Sequence, residues 1–262
     1  MEFRFQRRDE PVRGSHDEAV GRIVEWKMNI LYEDDQIIVV EKPAGIESQS
    51  SRTFEPDMVS EVKKHINSLS PKKGDPYVGV IHRLDKPVGG ILVFGKTKEA
   101  AGALSKQISE HQTEKRYLAV VCGKPVENFG TYVDYLWKDG KNNISKIVDK
   151  GITDAKRAEL SYRVLAELEG EGGPLCLMEI DLKTGRHHQI RVQLSGHGTP
   201  LLGDLKYNPD GPKVTGQRNV ALCAWKLSFT HPGNKKRMKF TVKPQGAAFY
   251  QFDFDYLADT HT

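Results

Sequence analysis

The stretch His82-Arg83-Leu84-Asp85-Lys86-Pro87-Val88-Gly89-Gly90-Ile91-Leu92-Val93-Phe94-Gly95-Lys96-Thr97 decides how this chain is read. Its second half, Gly90 to Thr97, matches the phosphate-loop pattern GxxxxGK[ST] letter for letter. That loop works because its backbone N–H groups are free to wrap phosphate. Here the intervening residues are Ile, Leu, Val and Phe, which favour a buried strand with every N–H committed to a neighbour. A nucleotide-binding loop is therefore set aside, and Ile91–Phe94 is expected to be a strand. The first half then becomes the loop that enters it. Pro87 biases Lys86 away from helix, and Gly89-Gly90 permit unusual backbone angles. Such a loop can present the Asp85 carboxylate into a cleft from a rigid base.

Upstream, Gln36–Glu41 reads as a strand ending in turn chemistry at Lys42-Pro-Ala-Gly45. Asp57–Leu69 has Met58, Val59, Val62, Ile66 and Leu69 near helical spacing, and 71–76 is a surface loop. Downstream, Lys98–Glu110 is expected to be a helix with Ala101, Leu104 and Ile108 on one face. Arg116–Cys122 is a strand, and Arg157–Leu165 alternates Ala158, Leu160, Tyr162 and Val164 with polar partners, the pattern of a half-buried strand. Leu175–Leu182, Asn219–Phe229 and Lys239–Lys243 follow the same logic. Gly185–Gly196, with Ile190 and Leu194 at i, i+4, reads as a short helix capped by Thr184. The fold class is α/β in the α+β sense, around a mixed, mostly antiparallel sheet.

At 262 residues, 38% hydrophobic and 28% charged, the chain is apolar enough for one good-sized core. No run approaches the roughly 18 apolar residues of a membrane span, and Met1–Asp9 lacks the apolar segment of a secretory signal. A membrane partner is not expected. Cys122, Cys176 and Cys223 form no CxxC pair and read as small buried hydrophobes in a reducing cytoplasm. His187-His188, adjacent on the expected helix, make a poor pair of ligands for one metal. The Asn143 sequon has no secretory context. The net charge of +4 is uneven: Leu205–Gln245 holds nine Lys/Arg against one acid. Such a segment suits a polyanion or a solvated loop, and charge alone does not separate them.

Three features remain after structural explanations are subtracted: Asp85, Tyr117, and Lys183-Thr184-Gly185-Arg186-His187-His188-Gln189-Ile190-Arg191, where a strand meets a helix. Taken together, His82-Arg-Leu-Asp-Lys-Pro87, Lys115-Arg-Tyr-Leu-Ala-Val120 and Thr184-Gly-Arg-His-His-Gln-Ile-Arg-Val192 resemble the three motifs of the RluA-type RNA pseudouridine synthases. The resemblance extends to Leu31–Gly45 and Gly198–Tyr207, and covers roughly residues 28–257. It implies a mixed sheet split by a catalytic cleft and flanked by helices and loops. Residues 1–27 carry six basic and six acidic side chains and read as a partly mobile N-terminal extension, with Val20, Ile23, Val24 and Met28 suggesting a short helix over 16–28; the resemblance makes 28–257 the catalytic domain and leaves 258–262 as a tail. Many members carry an N-terminal S4 RNA-binding domain, and 1–27 are too few to hold one. The chain departs from many members at Val88-Gly89-Gly90 and at Gln193.

The implied activity is isomerisation of uridine in ribosomal or transfer RNA: the N1–C1′ bond breaks and the base rejoins the sugar through C5. By position, Asp85 matches the catalytic aspartate, Tyr117 the tyrosine against the uracil, and Arg191 the basic residue that pairs with the aspartate. Arg83 matches the residue that helps displace the base, and Ile190 lies beside Arg191. His82 and Arg186 complete the expected substrate-binding set. The reaction needs no redox carrier, nucleotide or metal, so no cofactor is expected. A carboxylate in a dry cleft needs a cation beside it, and an arginine fork cannot be titrated away. The chain is expected to bind RNA, to act as a monomer and to be cytoplasmic. The alternative is an RNA-binding or ribosome assembly factor of the same fold whose catalysis is incidental.

Overall fold

A computed structural model of the chain describes residues 28–50, 56–69, 74–217 and 219–253. The expected extension, its short helix, the tail and part of the 71–76 loop lie outside them. The described residues build one eleven-stranded sheet in the order β1-β2-β4-β10-β5-β9-β8-β6-β7, with β3 paired to β4 and β11 to β10. The strands are β1 Asn29–Glu33, β2 Ile37–Lys42, β3 Gly79–Val80, β4 Gly89–Gly95, β5 Glu114–Cys122, β6 Phe129–Asp139, β7 Ile144–Val148, β8 Lys156–Gly170, β9 Gly173–Leu182, β10 Leu222–Thr230 and β11 Arg237–Thr241. Three helices accompany them: α1 Met58–Leu69, α2 Lys98–Ser109 and α3 Gln189–Gly196.

The GxxxxGK[ST] match is strand and helix cap. Ile91–Phe94 are buried on both faces of β4 and are in register with Glu41–Ile38 of β2. Lys96 Nζ bonds Glu33 at 2.7 Å, and Thr97 Oγ1 accepts the Ala100 N–H at 3.1 Å to cap α2.

Every pairing is antiparallel except β4 with β10, which meet only at Gly89/Cys223 and Gly90/Ala224. Beyond that contact the two strands part, β4 taking β3 on its free edge and β10 taking β11. The sheet therefore forks. Gly90 makes the junction possible: it stands at φ +123°, and a Cβ there would overlap the Ala224 carbonyl. Ala224 is in turn opposite Tyr117 on β5, so one cross-strand row links the end of the Asp85 loop to Tyr117.

Alternating side chains feed a core on each face. One holds Ile38, Val40, Leu92 and Phe94 under Met58 and Val62 of α1, with Ile190 and Leu194 of α3. The other holds Ile37, Val39, Ile91 and Val93 under Ala100 and Leu104 of α2. Burial on both faces is why β2 and β4 read as continuous apolar runs.

Three expectations are corrected. The segment around Gly185 becomes helical only from Gln189. Its N-cap is His188, in the left-handed region at φ 53°, with no side-chain cap, because Thr184 is engaged with Glu159 and Gln189. The hairpin β6–β7 adds two strands beyond those expected from the sequence. The basic segment 205–245 is not one strip. Lys206 reaches the cleft wall and bonds the Asn143 carbonyl, whereas Lys235 and Lys236 sit at the β10–β11 turn, some six residues and roughly 20 Å along β10 from Ala224.

Candidate active site

The turn Asp85-Lys86-Pro87-Val88, closed by Val88 N–H to the Asp85 carbonyl at 3.0 Å, delivers Asp85 to the floor of a cleft of about 1250 Å³. The loop is pinned from below by Lys42. Its fully buried ammonium donates to the carbonyls of Pro43 (3.0 Å), Ile46 (2.5 Å) and Lys86 (3.1 Å). Three acceptors match the three donors of an ammonium. Burial nevertheless lowers its pKa to about 7, with the Asp85 charge opposing the shift. Ser48 adds a second clasp: its hydroxyl accepts the Leu84 N–H at 2.9 Å and donates to the Leu84 carbonyl at 2.8 Å.

Above Asp85 lies α3. Gln189 through Leu194 are all buried, so its polar side chains must find protein partners. Arg191 does so twice. Its Nε and Nη2 form a two-pronged pair with Asp204, both at 2.7 Å, and its Nη1 reaches Asp85 Oδ2 at 3.3 Å. The pairing anticipated for Arg191 is thus present, but its principal partner is Asp204, which sequence reasoning does not single out beyond the matching stretch Gly198–Tyr207. Asp204 is itself fully buried and accepts the Lys206 and Tyr207 N–H groups.

His188 is a second residue that sequence reasoning misses. Tyr207 Oη accepts the Ser145 N–H at 2.7 Å and shares a hydrogen bond with His188 Nδ1 at 2.9 Å. Its Nε2 faces Asp85 Oδ2 at 3.7 Å. Burial, and next the Arg191 charge, lower His188 to about 2, so the ring is neutral. The two adjacent histidines do not diverge as helical neighbours would: they precede α3, and their rings stack at 3.7 Å.

Tyr117 is buried at the centre of the sheet, its pKa raised by burial and then by the Asp85 charge, so it enters as a neutral phenol. Ile190 lines the same cleft beside Arg191. Arg83 is exposed at the mouth, and Arg186 sits on the opposite wall with Nε on the Arg157 carbonyl at 2.9 Å. His82 lies on the wall with its Nε2 enclosed and unpaired, and burial lowers it to about 4. All seven residues singled out from the sequence therefore line one cleft. No group of three or more metal-ligating side chains is assembled among the described residues.

The buried neutral histidines have a consequence for stability. His82 and His188 titrate below the ordinary value of 6.5, so the unfolded chain takes up protons first as pH falls. Their contribution is complete above about pH 6.5 and is lost below it, at most about 1.4 kcal/mol per pH unit for each. Urea midpoints should fall between pH 7 and pH 5, and His188→Gln should flatten that fall. An equal fall in the variant would show that His188 is not held neutral by the fold.

Asp85, Tyr117 and Arg191 thus share one cleft at the fork of a mixed sheet, a carboxylate paired with a buried arginine beside a neutral phenol. The RNA pseudouridylate synthase family matches residues 36–196, and the chain belongs to that family. It is 34% identical over 212 residues to ribosomal large subunit pseudouridine synthase D of Nitrosomonas europaea, covering 78% of this chain and 58% of that protein. It is 32% identical over 230 residues to tRNA pseudouridine synthase C of Haemophilus ducreyi, covering 82% and 90%. The solved human RNA Pseudouridylate Synthase Domain Containing 4 superposes with a TM-score of 0.67 at 23% identity, over 83% of this chain and 88% of that one. That likeness concerns the fold.

Proposed function

We propose that this chain isomerises uridine to pseudouridine in ribosomal or transfer RNA, with Asp85 as the catalytic carboxylate. The observation that carries the reading is Asp85 on the cleft floor, half-exposed, with Arg191 Nη1 at 3.3 Å and Tyr117 within reach of its charge. The target uridine leaves its stack, at a cost of roughly a few kcal/mol, and enters the cleft with its base against Tyr117 and Ile190. Arg83, exposed at the mouth, fills the vacated place. Asp85 then acts on the sugar, at C1′ as nucleophile or at C2′ as base. Arg191 and the neutral His188 both face Oδ2, which leaves Oδ1 to the substrate. Tyr117, held as a phenol, offers a flat face and a proton-exchanging group near C5.

One copy suffices, because Asp85, Tyr117 and Arg191 come from one chain. Three free thiols, two of them buried, fit a reducing cytoplasm. Mapping pseudouridines across cellular RNA with and without the gene tests the reading. A site that vanishes names the substrate, and an unchanged map rejects the activity. An assembly factor with incidental catalysis would instead keep its biological role in an Asp85→Asn protein.

A further inference from the structure

Strand alternation puts Lys115 on the same face of β5 as Tyr117, two residues and roughly 7 Å along the cleft. Lys115, Lys183 and Thr184 border both the main cleft and an alcove of about 510 Å³ beside it. The alcove's other cations carry their own counter-charges. Arg116 is held by Glu114 at 3.0 Å and Glu179 at 3.5 Å, Arg157 by Glu159 at 2.6 Å, and Lys183 by Asp181 at 2.6 Å. Lys115 differs: among the described residues its ammonium has no ion pair and no hydrogen bond. Asp181, whose charge reaches it, is taken by Lys183, and burial lowers the Lys115 pKa. Its charge also helps keep His82 neutral. A side chain at Gly185 would begin 3.8 Å from Lys115 Nζ, so glycine there leaves the ammonium open to the cleft.

Lys115 thus holds a partly buried ammonium at the cleft wall with no direct carboxylate contact among the described residues, and the group that would complete it is negative. The RNA of the proposed reaction brings one with every nucleotide. We propose that Lys115 seats one phosphodiester of the bound RNA, the one flanking the uridine that enters beside Tyr117. This rests on the reading of the cleft as an RNA isomerisation site, and it assigns the ammonium to positioning the strand rather than to chemistry.

The test uses the Asp85→Asn protein, so that turnover does not intervene, titrated with fluorescently labelled large-subunit ribosomal RNA transcript over a range of salt. Adding Lys115→Met should lower affinity about five- to tenfold at low salt. It should make the slope of log K against log salt shallower by about 0.7–0.9, as expected when the protein neutralises one phosphate fewer. Lys115→Arg should keep the slope. The Met variant should melt no lower than its parent, because the ammonium that it removes has no direct protein partner among the described residues and is partly desolvated. An unaltered slope with Lys115→Met overturns the phosphate seat alone, as does an equal loss of affinity with Lys115→Arg. Failure of the parent protein to bind this RNA and transfer RNA overturns the reading of the cleft and the seat with it. Stabilisation by millimolar inorganic phosphate that depends on Lys115, with an unaltered RNA slope, assigns the site to a free anion and rejects the proposal.

Discussion

Asp85→Asn abolishes isomerisation, by roughly 10⁴-fold or more in turnover, while RNA affinity stays within a few-fold of the unaltered protein. The substitution keeps the shape of the side chain and leaves Arg191 an oxygen to meet, so the loop clamped by Lys42 and Ser48 does not move. What it removes is the anion that attacks the sugar or takes its proton. Stopped-time assays at saturating RNA separate this from binding. A variant that retained a tenth of the activity would mean that another group does the chemistry.

The second large effect concerns a residue with no place in the reaction. Asp204 is fully buried and accepts two hydrogen bonds from Arg191 and two from the backbone of its own loop. Asp204→Asn leaves Arg191 deep in the fold with only the half-exposed Asp85 as counter-charge. Breaking a buried pair this way costs about 3–5 kcal/mol, a fall in Tm of roughly 6–20 °C for a domain of this size. Replacing both partners, Arg191→Met with Asp204→Leu, should recover only part of that stability: no guanidinium is left without its counter-charge, but the Lys206 and Tyr207 N–H groups lose their acceptor. It should not recover activity, because Asp85 then has no guanidinium beside it. Melting curves and turnover measured on the unaltered, single-variant and double-variant proteins decide the point. A double variant that regains activity would reduce Arg191 to a structural role.

Where the sequence was legible, local physics decided the structure. Ile91–Phe94 is strand because four large apolar residues between glycines have two faces to bury. Residues 158–164 alternate because one face of β8 meets the core. Pro87 and Gly89-Gly90 marked the Asp85 turn, and the positive φ of Gly90 shows why the second glycine stands there.

The failures have equally specific causes. β6 and β7 form a hairpin that is largely open to solvent, so no run of buried positions stands out, although Tyr132, Val133, Tyr135 and Trp137 were β-forming signals in plain view. Asp204 lies in a loop thirteen positions from Arg191, and nothing local marks a carboxylate as the mate of a distant guanidinium. His188 owes its orientation to a left-handed backbone angle and to Tyr207, neither visible in a linear pattern. A count of charges over 205–245 could not know that the β10–β11 turn carries part of them away from the cleft.

The most direct measurement maps pseudouridine at nucleotide resolution in purified large-subunit ribosomal RNA and transfer RNA after incubation with the unaltered protein or with Asp85→Asn. The account predicts that one or a few discrete uridines are converted by the first and none by the second. Conversion at the same uridines by the Asp85→Asn protein, or at none by the unaltered one, would contradict it.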